Sequence, residues 1–243
     1  MGRRFGSVQA LANVSLRIEK AAKLAVLGAS GSGKTTLLRL IAGLDIPDSG
    51  EIRIDDRVVS RPGWVQSPHL RGIGFVFQKP CLWPHMTVAQ NVLFAIAAVP
   101  QPERQTRLDS VLSRVGLSDL AGRYPSELSG GQERRAALAR AIAPQPRILL
   151  MDEPLTNLDP QAKSAMLELI SSTANQHRCT LVYVTHERSE ADAVSGGIVM
   201  LEQGRLIQPP PASAPPSTGC TTALQVGEWV GKPQRLDDRN PYP

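Results

Sequence analysis

The sequence predicts an α/β fold built on a mainly parallel sheet, and three observations carry that prediction. Residues 28–36 read Gly-Ala-Ser-Gly-Ser-Gly-Lys-Thr-Thr, a complete phosphate-binding loop. The apolar run 24–27 leads into it as a buried strand, and residues 36–41 lead out with apolar residues at helical spacing. Residues 147–151 and 180–184 are largely apolar runs of the kind found in parallel strands covered on both faces. Helical patterns at 132–143 and 160–174 lie between and beside them, and a sheet so wound places its ligand at the strand ends.

Taken in order, residues 8–18 alternate apolar and polar positions, with Val14, Leu16 and Ile18 inward, and read as one half-exposed strand. In the loop that follows the next strand, glycines at 28, 31 and 33 let successive amides point inward at phosphate, and the helix start adds its dipole. Lys34 is placed for the β- and γ-phosphates and the Thr35 hydroxyl for Mg²⁺, with Ala29, Ser30, Ser32 and Thr36 completing the nucleoside-triphosphate-binding segment. Residues 50–55 alternate again between turn-forming clusters and predict a hairpin. Residues 73–77 form a short strand ending at Gln78, and a helical pattern from 88 to about 115 breaks at Pro100 and Pro102. Ser129, Gly130, Gly131 and Gln132 open a helix whose unpaired amides make a second anion site. Two phosphate-binding helix starts with one acidic strand end suggest a head-to-tail pair of chains. That strand, 148–152, delivers Asp152 to hold Mg²⁺ and Glu153 to polarise an attacking water.

Bulk properties remove several classes. The chain of 243 residues suits one large domain with a compact subdomain and a tail. A net charge of +5, with basic residues scattered, argues against a nucleic-acid partner. Cys81, Cys179 and Cys220 have neither disulfide-framework nor zinc spacing, which fits a reducing compartment. The longest apolar run, 92–99, falls well short of the roughly 20 residues needed to span a bilayer, so a membrane role requires a partner. Arg3 and Arg4 have the charge of an export signal, but Gln9, Asn13 and Arg17 interrupt any apolar core after them.

Leu128-Ser129-Gly130-Gly131-Gln132 together with the phosphate loop and Asp152-Glu153-Pro154 make residues 5–208 resemble the nucleotide-binding subunit of an ABC transporter. The resemblance implies a P-loop NTPase fold: a mainly parallel sheet core, a small antiparallel β subdomain and an α-helical signature subdomain at about 79–145. Residues 1–208 would be the ATPase domain and 209–243 a proline-rich, disordered tail. It implies ATP and Mg²⁺ as cofactors, the metal held at Thr35, Gln78 and Asp152. Gln78 senses the metal and the membrane partner, Asp159 communicates between two nucleotide sites, and His186 contacts the γ-phosphate. Phe5 stacks on adenine, and Ser129 to Gln132 act on ATP held by a second copy or a paralogous ATPase. Transmembrane permease subunits and a substrate-binding protein complete the partners, with the chain on the inner face of the membrane.

Residues 74–78 and 84–92 are similar to bacterial importers of anions such as molybdate or sulfate, and of ferric iron, polyamines or sugars. Residues 81–94, with Leu82, Trp83 and Met86, would receive the permease's coupling helix. Alternatives are a non-transport ATPase of this fold, which would show a coiled coil or a duplicated motif set, and a nucleotide-binding regulator, against which Asp152, Glu153 and His186 argue. The sequence departs from the family pattern in three places. Lys20-Ala21-Ala22-Lys23 replaces a Gly-Glu turn, so that turn is expected to avoid positive φ. Only Met1 to Arg4 precede Phe5, so either the start is misassigned or the small sheet lacks an edge strand. The tail is too short for a regulatory domain.

Overall fold

A computed structural model describes residues 1–207 and the backbone of Ala223–Gly227. Its elements are β1 (Arg3–Phe5), β2 (Val8–Leu11), β3 (Leu16–Glu19), β4 (Lys23–Leu27), α1 (Lys34–Ala42), β5 (Glu51–Ile54), β6 (Arg57–Arg61), β7 (Trp64–Val65) and β8 (Ile73–Val76). There follow α2 (Val88–Ala95), α3 (Gln101–Arg114), α4 (Gly130–Ile142), β9 (Ile148–Asp152), α5 (Pro160–His177), β10 (Thr180–Thr185), α6 (Arg188–Val194), β11 (Gly197–Glu202), β12 (Arg205–Leu206) and β13 (Ala223–Gly227).

The six-stranded sheet has the order β12-β11-β4-β10-β9-β8, parallel except for β12. Every residue of β9 and β10 is buried, which is why the interiors of both read as apolar runs. Alternate residues of these strands enter opposite cores. Leu149, Met151, Leu181 and Tyr183 pack with residues of α2 to α5, whereas Leu150, Val182 and Val184 pack with Leu37, Leu40 and Ile41 of α1 and with the antiparallel strands. Parallel pairing then brings the ends of β4, β8, β9 and β10 to one edge of the sheet.

A five-stranded antiparallel sheet, ordered β3-β13-β5-β6-β7, flanks α1. Asp55 and Asp56 both take positive φ (53° and 61°) in the tight turn that joins β5 to β6. Arg71, only 1% exposed, ties this sheet to the end of α1: its guanidinium donates to Leu40 O and Ile41 O and also to Val59 O and Ser60 Oγ. Gly43 is required beneath it, since a Cβ there would lie 2.5 Å from Arg71 Cζ.

Three expectations are corrected. Residues 8–18 are two strands in different sheets, separated by Asn13 at φ 52°, a conformation an asparagine side chain tolerates better than most. The turn at 20–23 does not avoid positive φ: Ala21 sits at 60°, where its amide donates to Thr180 Oγ1 and Ala22 N bonds Glu19 O. Those fixed partners offset a strain of about 1–2 kcal/mol. Within the stretch read as a tail, Ala223–Gly227 is the second strand of the antiparallel sheet; its Ala-Leu-Gln-Val-Gly alternation is short and surrounded by prolines and glycines. The expectation for the rest of 209–243 falls outside the described residues.

Candidate functional site

The loop between β4 and α1 needs its glycines for separate reasons. Gly31 and Gly33 adopt positive φ (79° and 104°), and a Cβ on Gly33 would come within 2.4 Å of Ala10 O. A Cβ on Gly28 would meet Leu201 O at 2.3 Å and Ser32 Oγ at 2.6 Å. The loop is thus clamped between β2 and β11, leaving Ala29 and Ser30 exposed at its tip and Thr36 in the first turn of α1. Ser32 Oγ is buried with no hydrogen-bond partner among the described residues, the position of a donor that awaits an acceptor.

Lys34 is 4% exposed, and its Nζ donates to Gly28 O and Ala29 O, both at 2.8 Å. The same Nζ lies 3.4 Å from Glu153 Oε1, while the other oxygen of Glu153 lies 3.2 Å from His186 Nδ1. Thr35 Oγ1 donates to Asp152 Oδ1 at 3.1 Å. Burial pushes the Asp152 carboxyl above the usual aspartate range, and the adjacent Glu153 charge pushes the same way against the Thr35 hydrogen bond. These contacts follow from topology: β9 ends at Asp152 between β10 and β8, and β10 lies next to β4. Glu153 turns back over this edge at φ 43°, its amide bonded to Val184 O.

The Thr35 hydroxyl and the Asp152 carboxylate are hard oxygen donors at the end of a phosphate loop, a set that fits Mg²⁺ completed by phosphate oxygens and water. Gln78 is exposed two residues beyond β8, the neighbour of β9. Phe5 is 46% exposed under the Arg3 guanidinium, 4.7 Å from the ring centroid. Its hairpin, β1–β2, is the one that closes on Gly33 through Ala10 and Leu11.

Ser129 caps α4, accepting from Gln132 N, while the Gln132 side chain accepts from Ser129 N. A Cβ on Gly130 or Gly131 would meet nothing within 4 Å among the described residues, so the chain's own phosphate loop does not touch them. Asp159 caps α5 through Ala162 N.

Sequence reasoning missed the residues that hold these loops. Arg134 of α4 donates to Gln78 O (3.2 Å), Pro154 O (2.8 Å) and Thr156 O, and Arg140 donates to Pro80 O and Cys81 O. The buried Glu190 accepts from Tyr183 OH and Thr185 Oγ1 and pairs with Lys163, which fixes the turn carrying His186. The available signal was cations on an otherwise apolar helix and an acid at the spacing of Ala191 and Val194.

A parallel sheet with this loop, a lysine facing a carboxylate and an aspartate facing the loop threonine defines a P-loop nucleoside triphosphatase. The family model described as ABC transporter matches residues 11–156. The chain belongs to the ABC transporter family, and the part it represents is the ATP-binding cassette. It is 41% identical to the sulfate/thiosulfate import ATP-binding protein CysA of Bradyrhizobium diazoefficiens, over 97% of this chain and 70% of that protein. It is 40% identical to the Fe(3+) ions import ATP-binding protein FbpC of Pseudomonas fluorescens, over 96% of this chain and 66% of that one. Against the spermidine/putrescine import protein PotA of Pseudomonas aeruginosa the identity is 44%, over 85% and 56%. The chain therefore spans about two thirds or less of the length of most of these relatives. Among solved structures, a dimeric post-hydrolysis state of the ATP-binding cassette MJ0796 with ADP and Pi superposes with a TM-score of 0.75 at 33% identity, covering 85% of this chain and 93% of that one. CbiO1 of Clostridium perfringens, part of an ABC transporter complex, gives 0.76 at 28% identity, over 86% and 84%.

Proposed function

We propose that this chain is the ATP-hydrolysing subunit of an ABC importer, working as a head-to-tail pair on the inner face of a membrane beneath separate permease subunits. The observation that carries the reading is the position of Glu153 between Lys34 and His186. When a triphosphate enters, Lys34 exchanges two loop carbonyls for β- and γ-phosphate oxygens, and its hold on Glu153 is released. Glu153, steadied by His186, then orients a water and accepts its proton as the water oxygen bonds the γ-phosphorus and the β–γ bridge breaks, giving ADP and phosphate. Magnesium, which Thr35, Asp152 and Gln78 would hold, would neutralise charge on the phosphates. Loop amides do the rest by positioning.

Coupling to a permease is supported by an aromatic patch. Trp83 and Phe94 are 45% and 56% exposed, edge to face at 6.0 Å, with His85 alongside. The buried Asn91 amide fixes the backbone under them by donating to Trp83 O, Met86 O and Thr87 O and accepting from Trp83 N. A helix from the membrane partner fits such a patch. Relatives named for sulfate, iron and polyamine import are all 40–44% identical to this chain, so solute choice belongs to the permease and a substrate-binding protein. Glu153→Gln tests the reading: ATP affinity by equilibrium binding stays within about twofold, and turnover falls by at least about a hundredfold. Turnover close to the unmodified rate would remove Glu153 from the mechanism.

A further inference from the structure

β3 and β5 do not bond each other; each bonds β13, which lies antiparallel between them. We infer that the space between β3 and β5 is a strand-acceptor groove for an extended peptide, and that this chain's own Ala223–Gly227 is the occupant that completes the lobe behind the phosphate loop. The inference rests on the sheet and not on the hydrolytic reading.

Register is the first argument. Leu224 stands opposite Ile18 and Ile54, and Val226 opposite Leu16 and Ile52, four buried residues that share one core with Leu37, Leu40 and Ile41 of α1. Gln225 stands opposite Arg17 and Arg53, each paired to a glutamate on its own strand. A slip of one residue would set Gln225 among the aliphatic positions, so the segment matches both neighbours in one register only. The second argument is the cost of vacancy. With β13 gone, two facing edges lose their backbone partners over a core that reaches the helix carrying Lys34 and Thr35.

A five-residue strand bound mainly through its backbone is also releasable. Release would loosen the lobe that presents the phosphate loop, so whatever captures the C-terminal segment would lower ATP affinity.

Hydrogen exchange on the full chain tests this. Amides of β3 and β5 directed at β13 should be protected in the unmodified protein, and Gln225→Pro, which removes a ladder donor from a central strand, should speed their exchange by at least about tenfold. Gln225→Thr, which keeps the alternation, should leave protection intact, and a synthetic peptide of residues 221–229 should restore it to the proline variant. Equal exchange of those amides in the unmodified and proline chains would overturn the proposal. So would protection that disappears on dilution to monomer, because the donor would then be a second copy. The unmodified chain answers the question even if the proline variant fails to fold.

Discussion

Asp152 shows what a single residue gives up for its role. Its carboxyl is almost buried beside another carboxylate, and its proton is held above the usual aspartate range by burial first and by Glu153 after it. A folded-state value above the unfolded one means that stability falls as pH rises from the ordinary carboxylate range through the raised value, so at neutral pH the group weakens the ligand-free protein. Asp152→Asn keeps an acceptor for Thr35 and removes the charge. The variant should melt about 2–4 °C higher by calorimetry without nucleotide, the scale of about 1 kcal/mol in a chain of this size, and lose magnesium-dependent ATP turnover. A lower melting temperature would show that the charge is compensated in the resting state. Lys34, Thr35, Asp152 and Glu153 were legible because each stands at a strand end or loop in a fixed pattern. Glu190 and Arg71 were not, because their partners are hydroxyls and carbonyls brought from elsewhere by the fold.

At the scale of elements, α4 does more than present the signature residues. Through Arg134 it grips the loop of Gln78 and the carbonyls of Pro154 and Thr156, so one side chain links the helix that begins at Ser129 to the loop just after Glu153, the carboxylate we propose orients the water. Burial pushes the Arg134 guanidinium below its usual value against the nearby Glu133 charge, and its hydrogen bonds among the described residues go to carbonyls. Arg134→Met keeps the apolar stem and deletes the donors. Steady-state kinetics should show kcat reduced by roughly tenfold to a hundredfold, with ATP affinity changed by less than about twofold. A loss confined to affinity would place Arg134 in nucleotide binding instead. Element types were readable where periodicity ran long, as in α4, α5, β9 and β10. They blurred where one residue changed the path: Asn13 divides what the alternation joined, and Ala21 turns where glycine was expected.

For the whole molecule, the open flank of Gly130 and Gly131 carries the argument. Among the described residues these positions have no neighbour to explain the absence of side chains, and they open the helix that Ser129 caps. In the head-to-tail pair we propose, a second copy would bring them to a nucleotide; the solved structure of a similar cassette is a dimer that holds ADP and Pi. In mixed dimers made of one Ser129→Arg chain and one unmodified chain, hydrolysis should fail at the unmodified chain's phosphate loop, which a Lys34→Ala substitution placed in either chain can assign. Loss only at the substituted chain's own loop would refute a shared site. The sequence motivates this proposed arrangement through an imbalance, two anion sites against one acidic strand end. The place of residues 223–227 was not legible there, because five alternating residues amid prolines carry too little pattern to be told from a linker.

That strand also sets a schedule. β3 and β5 come early in the sequence, yet the sheet beside α1 keeps the interior position between them for β13, the latest in sequence of the described strands. The parallel sheet can close once β11 exists, while β3 and β5 wait with their facing edges bare until residue 227 has been synthesised. Nascent chains therefore pass through a stage with a finished helical half and an unfinished nucleotide lobe, the stage at which edge-to-edge association is the hazard. Closure of this lobe depends on contacts far apart in sequence, the kind that form slowly, and a stalled or clipped product would expose the same two edges to any neighbouring strand.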